Sequence, residues 1–246
     1  MIANVHSIFT GGTVDGPGIR YVLFLKGCPL RCLYCHNPDT QKFEDGKKMT
    51  TEEIVEDCLK YKGYFKTGGG ITVSGGEPLC QIDFLIDLFK NLKKYNIHTC
   101  VDTSGVVFDR NNKELLEKFD ELIKYTDLFL LDIKHIDNEE HIKLTSKPNT
   151  NILDFARYLS DNNKKMWIRH VLVPTITLKD EYLIRTKDFV KTLHNVEKIE
   201  VLPYHTMGVV KYENLGLDYK LKNINPPTKE EVRHAKYLLG VIKDAA

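Results

Sequence analysis

Apolar residues occur along the chain in six short runs, and a segment with helical spacing separates each run from the next. The runs are rich in β-branched and aromatic residues, which is typical of strands. They predict strands over residues 19–25, 71–73, 98–101, 128–131, 166–173 and 199–202. Several runs are apolar on both faces, which indicates a parallel sheet covered by helices.

The segments between the runs predict the helices. Two capping-box pairs, Thr50 with Glu53 and Thr228 with Glu231, indicate where two of them begin. Further helices are predicted around residues 82–92, 113–124, 152–159 and 186–193. The alternation predicts one α/β domain over residues 1–246, and it leaves open whether the sheet is doubly wound or a partial barrel.

Polar residues follow the predicted strands at their carboxyl ends, where parallel α/β folds form their binding sites. These residues are Cys28, Gly75, Gly76, Glu77, Asp102, Thr103, Asp132, Lys134 and His205, and Arg169 lies within the fifth strand. We therefore expect them to converge on one face of the sheet.

Charge and hydropathy limit the classes of partner. Lys and Arg together number 35 and Asp and Glu 34, so the net charge is +1 and no nucleic-acid-binding surface is expected. No apolar stretch approaches the roughly 20 residues that a membrane helix needs. The first residues do not resemble a secretory signal. These features predict a cytoplasmic protein that binds neither nucleic acid nor membrane.

Three of the six cysteines, Cys28, Cys32 and Cys35, lie within eight residues of one another. In a cytoplasmic chain, clustered thiols are more often metal ligands than disulfides. Thiolates are the ligands of iron–sulfur clusters, and three ligands for four irons leave one iron open for chemistry. Cys58 and Cys100 are expected in the core, and Cys80 is not expected to be a ligand.

Two other metal sites are compatible with this cysteine motif. A Cys₃His zinc site would include His36, although its adjacency to Cys35 is unusual for zinc ligands. Cys32, Cys35 and His36 also match the c-type haem attachment pattern. That pattern conflicts with the missing export signal and leaves Cys28 unexplained.

The CxxxCxxC spacing, with Tyr34 before the third cysteine, resembles the signature of the radical S-adenosylmethionine (SAM) superfamily. Within it, five segments resemble the activating enzymes of glycyl-radical enzymes. They are residues 15–20, 34–37, 74–77, 132–134 and 202–205. The resemblance covers nearly the whole chain, and it implies a partial (β/α)₆ barrel, TIM-like, with a parallel sheet.

The resemblance also implies an activity. A 4Fe–4S cluster on Cys28, Cys32 and Cys35 would reductively cleave SAM to methionine and a 5′-deoxyadenosyl radical. This radical would generate a glycyl radical on a partner enzyme under anaerobic conditions. Many such activators carry additional cysteine clusters, and this chain has none, which favours pyruvate formate-lyase as the partner. Flavodoxin or ferredoxin is the implied electron donor, and a monomer is expected.

Residue roles follow from the same resemblance. The residues implied to hold SAM are Tyr34, His36, Gly75, Gly76, Glu77, Asp132, Ile133, Lys134 and His205. Those implied to form a monovalent-cation site are Asp102, Thr103 and Asp132. Asp15, His36 and Arg169 are implied to be catalytic, with Asp15 and Arg169 seating the glycyl loop or the cofactor. The segment over residues 204–227 is predicted to be irregular and to cover the cofactor or dock the partner.

Overall fold

The computed structural model describes residues 1–243. In that range the strands are β1 (Ile2–Gly12), β2 (Arg20–Leu25), β3 (Lys47–Thr50), β4 (Gly70–Gly75), β5 (His98–Thr103), β6 (Leu128–Asp132), β7 (Met166–Leu172) and β8 (Val196–Pro203). The α-helices are α1 (Thr51–Leu59), α2 (Ile82–Lys93), α3 (Lys113–Tyr125), α4 (Asn138–Thr145), α5 (Thr150–Asp161), α6 (Asp180–Lys191), α7 (Val209–Asn214) and α8 (Lys229–Leu238).

The strands form one mostly parallel sheet in the order β3-β1-β2-β4-β5-β6-β7-β8. Strand β2 pairs with β4, β4 with β5 and β7 with β8, all in parallel. Strand β1 is antiparallel to both β2 and β3. This linear order belongs to an unclosed sheet, and it confirms the predicted α/β class with a partial barrel.

The chain divides into two compact units. The first consists of Met1–Pro29 and Thr40–Leu130, and its core includes Leu23, Ile71 and Phe119, all fully buried. The second consists of Leu30–Asp39 and the chain from Leu131 onward. The organisation of residues 1–246 as one domain stays a prediction.

Local sequence signals account for most of these elements. In both predicted capping boxes the threonine hydroxyl accepts a hydrogen bond from the backbone N–H of the glutamate three residues later, and the glutamate carboxylate accepts one from the threonine backbone N–H. Helix α2 buries one apolar face, with Leu85, Phe89 and Leu92 fully buried. Each such side chain contributes roughly 1.5–3 kcal/mol by its burial. All six predicted strands are confirmed.

Four elements were not predicted. Strand β1 carries polar residues such as His6 and Thr10 and an exposed Phe9, so it has no continuous apolar run. Strand β3 is short and mostly polar, and it forms because β1 pairs with it. Helices α4 and α7 have eight and six residues, too few for a clear apolar period. The irregular conformation predicted over residues 204–227 is therefore wrong at α7.

None of the helices within residues 1–243 is both long enough and apolar enough to cross a bilayer.

Candidate functional site

In the first unit, two glycines shape the loop after β4. Gly75 has a φ of 117°, a conformation that side chains rarely adopt. A Cβ on Gly76 would lie 2.3 Å from the carbonyl oxygen of Gly27, so only glycine fits there. Gly76 thus packs against the backbone of Gly27, the residue before Cys28, and the predicted approach of the two glycines to the cofactor stays a prediction.

Glu77 is fully enclosed at the end of this loop. Its side chain is 1% exposed, and burial raises the pKa of its carboxyl group. Oε2 accepts hydrogen bonds from the hydroxyl and the backbone N–H of Ser104, at 2.6 and 2.9 Å. Oε1 accepts hydrogen bonds from the Thr103 hydroxyl and from the backbone N–H of Leu79. The carboxylate therefore ties the loop after β4 to the end of β5.

The residues predicted to hold a cation or to seat the glycyl loop also have protein partners in this unit. Asp102 Oδ2 accepts a 2.7 Å hydrogen bond from the Ser74 hydroxyl. The Thr103 hydroxyl, besides donating to Glu77, accepts from the Gly105 N–H. The backbone oxygen of Asp15 accepts from the Thr72 hydroxyl at 2.6 Å.

Cys28, the first cysteine of the motif, also lies in this unit. Its backbone N–H donates to the carbonyl of Gln41 at 3.1 Å, and the preceding Gly27 donates to the carbonyl of Thr40 at 2.7 Å. The backbone that follows β2 is therefore fixed by hydrogen bonds, and the Cys28 side chain is a partly exposed thiol.

In the second unit, residues 30–39 form what we call the Cys32–Cys35 loop. Backbone hydrogen bonds from Arg31 to Thr145 and from Leu33 to Leu144 fasten it to the end of α4. Cys32 and Cys35 are free thiols. Burial raises the pKa of Cys32 to about 12, against the lowering effect of Lys134, so the metal-free thiol keeps its proton.

Lys134 and Asp132 form an ion pair at the carboxyl end of β6, with side-chain exposures of 14% and 18%. The pKa of Lys134 lies well above its usual value, since the attraction of Asp132 overcomes the cost of burial. The ammonium group lies 5.9 Å from the ring centre of Tyr34. Ile133, between the two charged residues, is buried and donates its backbone N–H to Arg169. A permanent cation at this position suits a carboxylate ligand.

His36 and His205 stack on each other, with ring centres 4.0 Å apart. Nε2 of His36 lies 3.3 Å from the carbonyl oxygen of His205. Burial, followed by the charge of His205, lowers the pKa of His36. The structure therefore brings together two of the residues predicted to hold SAM.

Arg169 lies opposite Glu200 in the register of β7 and β8, and Nε is 3.4 Å from the Glu200 carboxylate. Both side chains are mostly buried, at 12% and 14% exposure. Glu200 also accepts a 2.7 Å hydrogen bond from Lys198, which in turn lies over the Trp167 ring.

The donor chemistry of the cysteines fits an iron–sulfur cluster. Thiolates are its usual ligands, and iron would replace the proton that burial keeps on Cys32. The Tyr34 hydroxyl and Nδ1 of His205 are buried and find no hydrogen-bond partner in the described part of the chain, so a bound polar molecule could satisfy them. Within residues 1–243, however, no three His, Cys, Asp or Glu side chains are grouped to hold a metal ion. The cluster assignment therefore depends on motif and family.

The core positions predicted for Cys58 and Cys100 are confirmed, and the role of Cys80 stays a prediction. Cys58 and Cys100 are fully buried in the core, and Cys80 is a partly exposed thiol whose pKa is raised to about 12 by burial.

Several residues of the site were missed from the sequence. Ser104 continues the polar end of β5 and could have been found by the same strand-end rule that identified Thr103. Glu200 could have been found as the acidic partner of Arg169 on the next strand. Gly208 and Lys211, described below, carried no sequence signal.

Residues 22–186, more than half of the chain, match the family model described as the radical SAM superfamily. The chain is 57% identical over 235 residues to the pyruvate formate-lyase-activating enzyme of Staphylococcus epidermidis, covering 94% of this chain and 93% of that protein. It is 53% identical over 234 residues to the enzyme of the same name from Staphylococcus aureus, with the same coverage.

Solved structures agree in fold. A domain of the pyruvate-formate lyase-activating enzyme from Bacteroides vulgatus has a TM-score of 0.58 and 26% identity, over 71% of this chain and 94% of that one. A radical SAM methyltransferase from Sphaerobacter thermophilus has a TM-score of 0.65 at 13% identity, over 97% of this chain and 75% of that one. The second likeness concerns the fold alone.

Proposed function

The chain belongs to the radical SAM superfamily, and we propose that it activates pyruvate formate-lyase by generating a glycyl radical on that enzyme under anaerobic conditions. The family predicted from the cysteine motif is thereby confirmed. The observation that carries the proposal is the 53–57% sequence identity, over 94% of this chain, to the two staphylococcal activating enzymes.

The cofactors of this family are a 4Fe–4S cluster and SAM. When bound, they supply a 5′-deoxyadenosyl radical that removes hydrogen from a glycine of the partner. In the proposal, Cys28, Cys32 and Cys35 hold the cluster, while Lys134 binds the SAM carboxylate. Tyr34 and His205 would offer their unpartnered polar atoms to the same ligand.

The remaining assignments complete the proposal. The other predicted SAM contacts are His36, Gly75, Gly76, Glu77, Asp132 and Ile133. Asp15, His36 and Arg169 are proposed as catalytic residues, and Asp102, Thr103 and Asp132 as the monovalent-cation site. Flavodoxin or ferredoxin is the proposed electron donor, and a cytoplasmic monomer is the proposed form.

Electron paramagnetic resonance spectroscopy tests this function, because it detects a glycyl radical directly. The reduced, cluster-loaded protein is mixed anaerobically with SAM and purified pyruvate formate-lyase. A glycyl-radical doublet on the lyase is the expected result. Cleavage of SAM without the doublet would contradict the assignment of pyruvate formate-lyase as the partner. Zinc without sulfide in the anaerobically prepared protein would contradict the radical chemistry.

A further inference from the structure

The Cys32–Cys35 loop has a second attachment in the second unit, at the end that follows the cysteines. Residues 205–212, which we call the clamp segment, lie against residues 35–39 of this loop. The stacked rings of His36 and His205 are one part of this attachment. Two residues of the clamp segment that have no predicted role, Gly208 and Lys211, supply the rest.

Gly208 packs directly on the backbone beside the third cysteine. A Cβ at Gly208 would lie 3.1 Å from Cα of His36 and 3.4 Å from the carbonyl oxygen of Cys35. Its φ of −75° suits any residue, so alanine could adopt this backbone conformation. The only obstacle to alanine is the steric contact of its Cβ with the cysteine loop. A side chain here would therefore push the cysteine loop away by a few tenths of an ångström.

Lys211 holds the end of the same loop through its charge. Its Nζ donates to Oδ1 of Asn37 at 2.8 Å and lies 3.3 Å from the Asp39 carboxylate. The neighbouring Tyr212 is 8% exposed and packs in a cluster with Tyr34, Tyr204 and Tyr219. Lys211 is thus presented to the loop from a helix that the aromatic cluster fixes in place.

We propose that the clamp segment positions the Cys32–Cys35 loop for cluster binding, with Gly208 and Lys211 as its positioning residues. This inference rests on the proposed function, because it assumes that Cys32 and Cys35 bind the cluster. The attachment to α4 fixes the loop before and between the cysteines, and the clamp segment fixes it after them. A loop that is fixed on both sides of its cysteines loses less conformational entropy when the thiolates bind a cluster. This lower cost favours cluster binding.

Gly208→Ala and Lys211→Ala test the proposal in the full-length protein, with matched controls. Gly63→Ala is the control for the glycine, since a Cβ there meets nothing within 4 Å. Lys222→Ala is the control for the lysine, because its only described ion pair is a 3.8 Å contact with Asp218 and it is 69% exposed. Lys211→Arg should restore the wild-type result.

Two measurements apply, hydrogen exchange of the amides in residues 31–39 and the rate at which cluster iron passes to a chelator. Lys211→Ala should raise both by about two- to fivefold, the range expected for a partly exposed ion pair. Gly208→Ala should raise both further, and the controls should match the wild type.

Outcomes for the two proposals differ. Wild-type protein that takes up no iron and sulfide would contradict the proposed function itself. Variants that match a cluster-loaded wild type in both measurements would overturn the positioning role alone. A uniform rise in exchange along the whole chain would also overturn it, since this would indicate general destabilisation.

Discussion

The hydroxyl of Ser104 donates a 2.6 Å hydrogen bond to Oε2 of Glu77, and this bond joins the end of β5 to the loop after β4. The same oxygen accepts from the Ser104 backbone, and the other oxygen accepts from Thr103 and Leu79. Each carboxylate oxygen therefore has two donors, which offsets the cost of burying the group. The conformation of the glycine loop depends on this network.

Replacing Ser104 by Ala should lower the free energy of unfolding. The substitution removes a donor to a buried carboxylate, and such a hydrogen bond contributes about 1.5–3 kcal/mol. The Ser104 hydroxyl also accepts a 3.3 Å hydrogen bond from the Val106 N–H, so the loss should reach at least this range. Urea denaturation of the full-length protein measures it.

Ser7→Ala is the control for this substitution. Ser7 is exposed, and its hydroxyl contacts only the neighbouring His6 among the hydrogen bonds described. Its replacement should change the free energy of unfolding by less than about 0.5 kcal/mol. Equal effects of the two substitutions would show that the carboxylate network contributes no stability.

Glu200→Gln should impair radical transfer to the partner. The substitution keeps the size of the side chain and removes the charge that holds Arg169 and Lys198. An Arg169 side chain displaced by about 1 Å can lower the rate by tenfold or more. Kinetics of glycyl-radical formation, with kcat and KM separated, measure the effect.

The same substitution at Glu197 provides the comparison. Glu197 lies on the same strand and pairs with Lys165, but both side chains are exposed, at 43% and 65%. Exposed pairs contribute only about 0–1 kcal/mol. Glu197→Gln should thus leave the kinetics unchanged, and a matching loss in both variants would rule out a specific role for Glu200.

The parallel strands and their helices were predictable because their signals are local. The run from Tyr21 to Leu25 is apolar over its length, and the pair Thr50 and Glu53 forms a capping box within four residues. Strand β1 could not be found in this way, because its alternate positions are polar or exposed and only pairing with β2 and β3 makes it a strand.

The site was predictable in its residue types and not in its connections. The strand-end rule found Glu77 and Thr103, but the hydrogen bond between them depends on how β4 lies beside β5. Lys211 and Asn37 are separated by 174 positions in the chain, and each alone is an ordinary polar residue. Contacts of this kind follow from tertiary packing, which single-sequence patterns do not encode.

Cys32→Ala should abolish cluster binding, while Cys80→Ala should retain it. Cys32 belongs to the cysteine motif, and its removal leaves two thiolates for a cluster that needs three. Cys80 is a comparable control, since it is also a partly exposed thiol with a pKa raised to about 12 by burial. Iron and sulfide content and SAM cleavage measure the result. Cleavage retained in the Cys32 variant would contradict the ligand assignment.

Three buried histidines of the second unit, His135, His141 and His170, should make the protein sensitive to mild acid. Burial lowers the pKa of each below its usual value of 6.5. The Nε2 atoms of His141 and His170 are buried and lack a hydrogen-bond partner among residues 1–243, so a proton added there would have no acceptor.

The sign of this effect follows from proton binding. Histidines of the unfolded chain take up protons near pH 6.5, while the folded chain resists them to lower pH. The free energy of unfolding should therefore be unaffected by these groups above about pH 6.5 and fall as the pH decreases below it. Glu77 acts in the opposite direction, because burial raises the pKa of its carboxyl group.

Comparing variants separates the histidine contribution from that of Glu77. Urea denaturation at about pH 7.5 and about pH 5.5 gives the change in the free energy of unfolding across the histidine range. His141→Asn should make this change smaller, because one buried group no longer resists protonation. His194→Asn, at an exposed position, should leave it as in the wild type. An unchanged difference in the His141 variant would show that this buried ring does not govern the acid sensitivity.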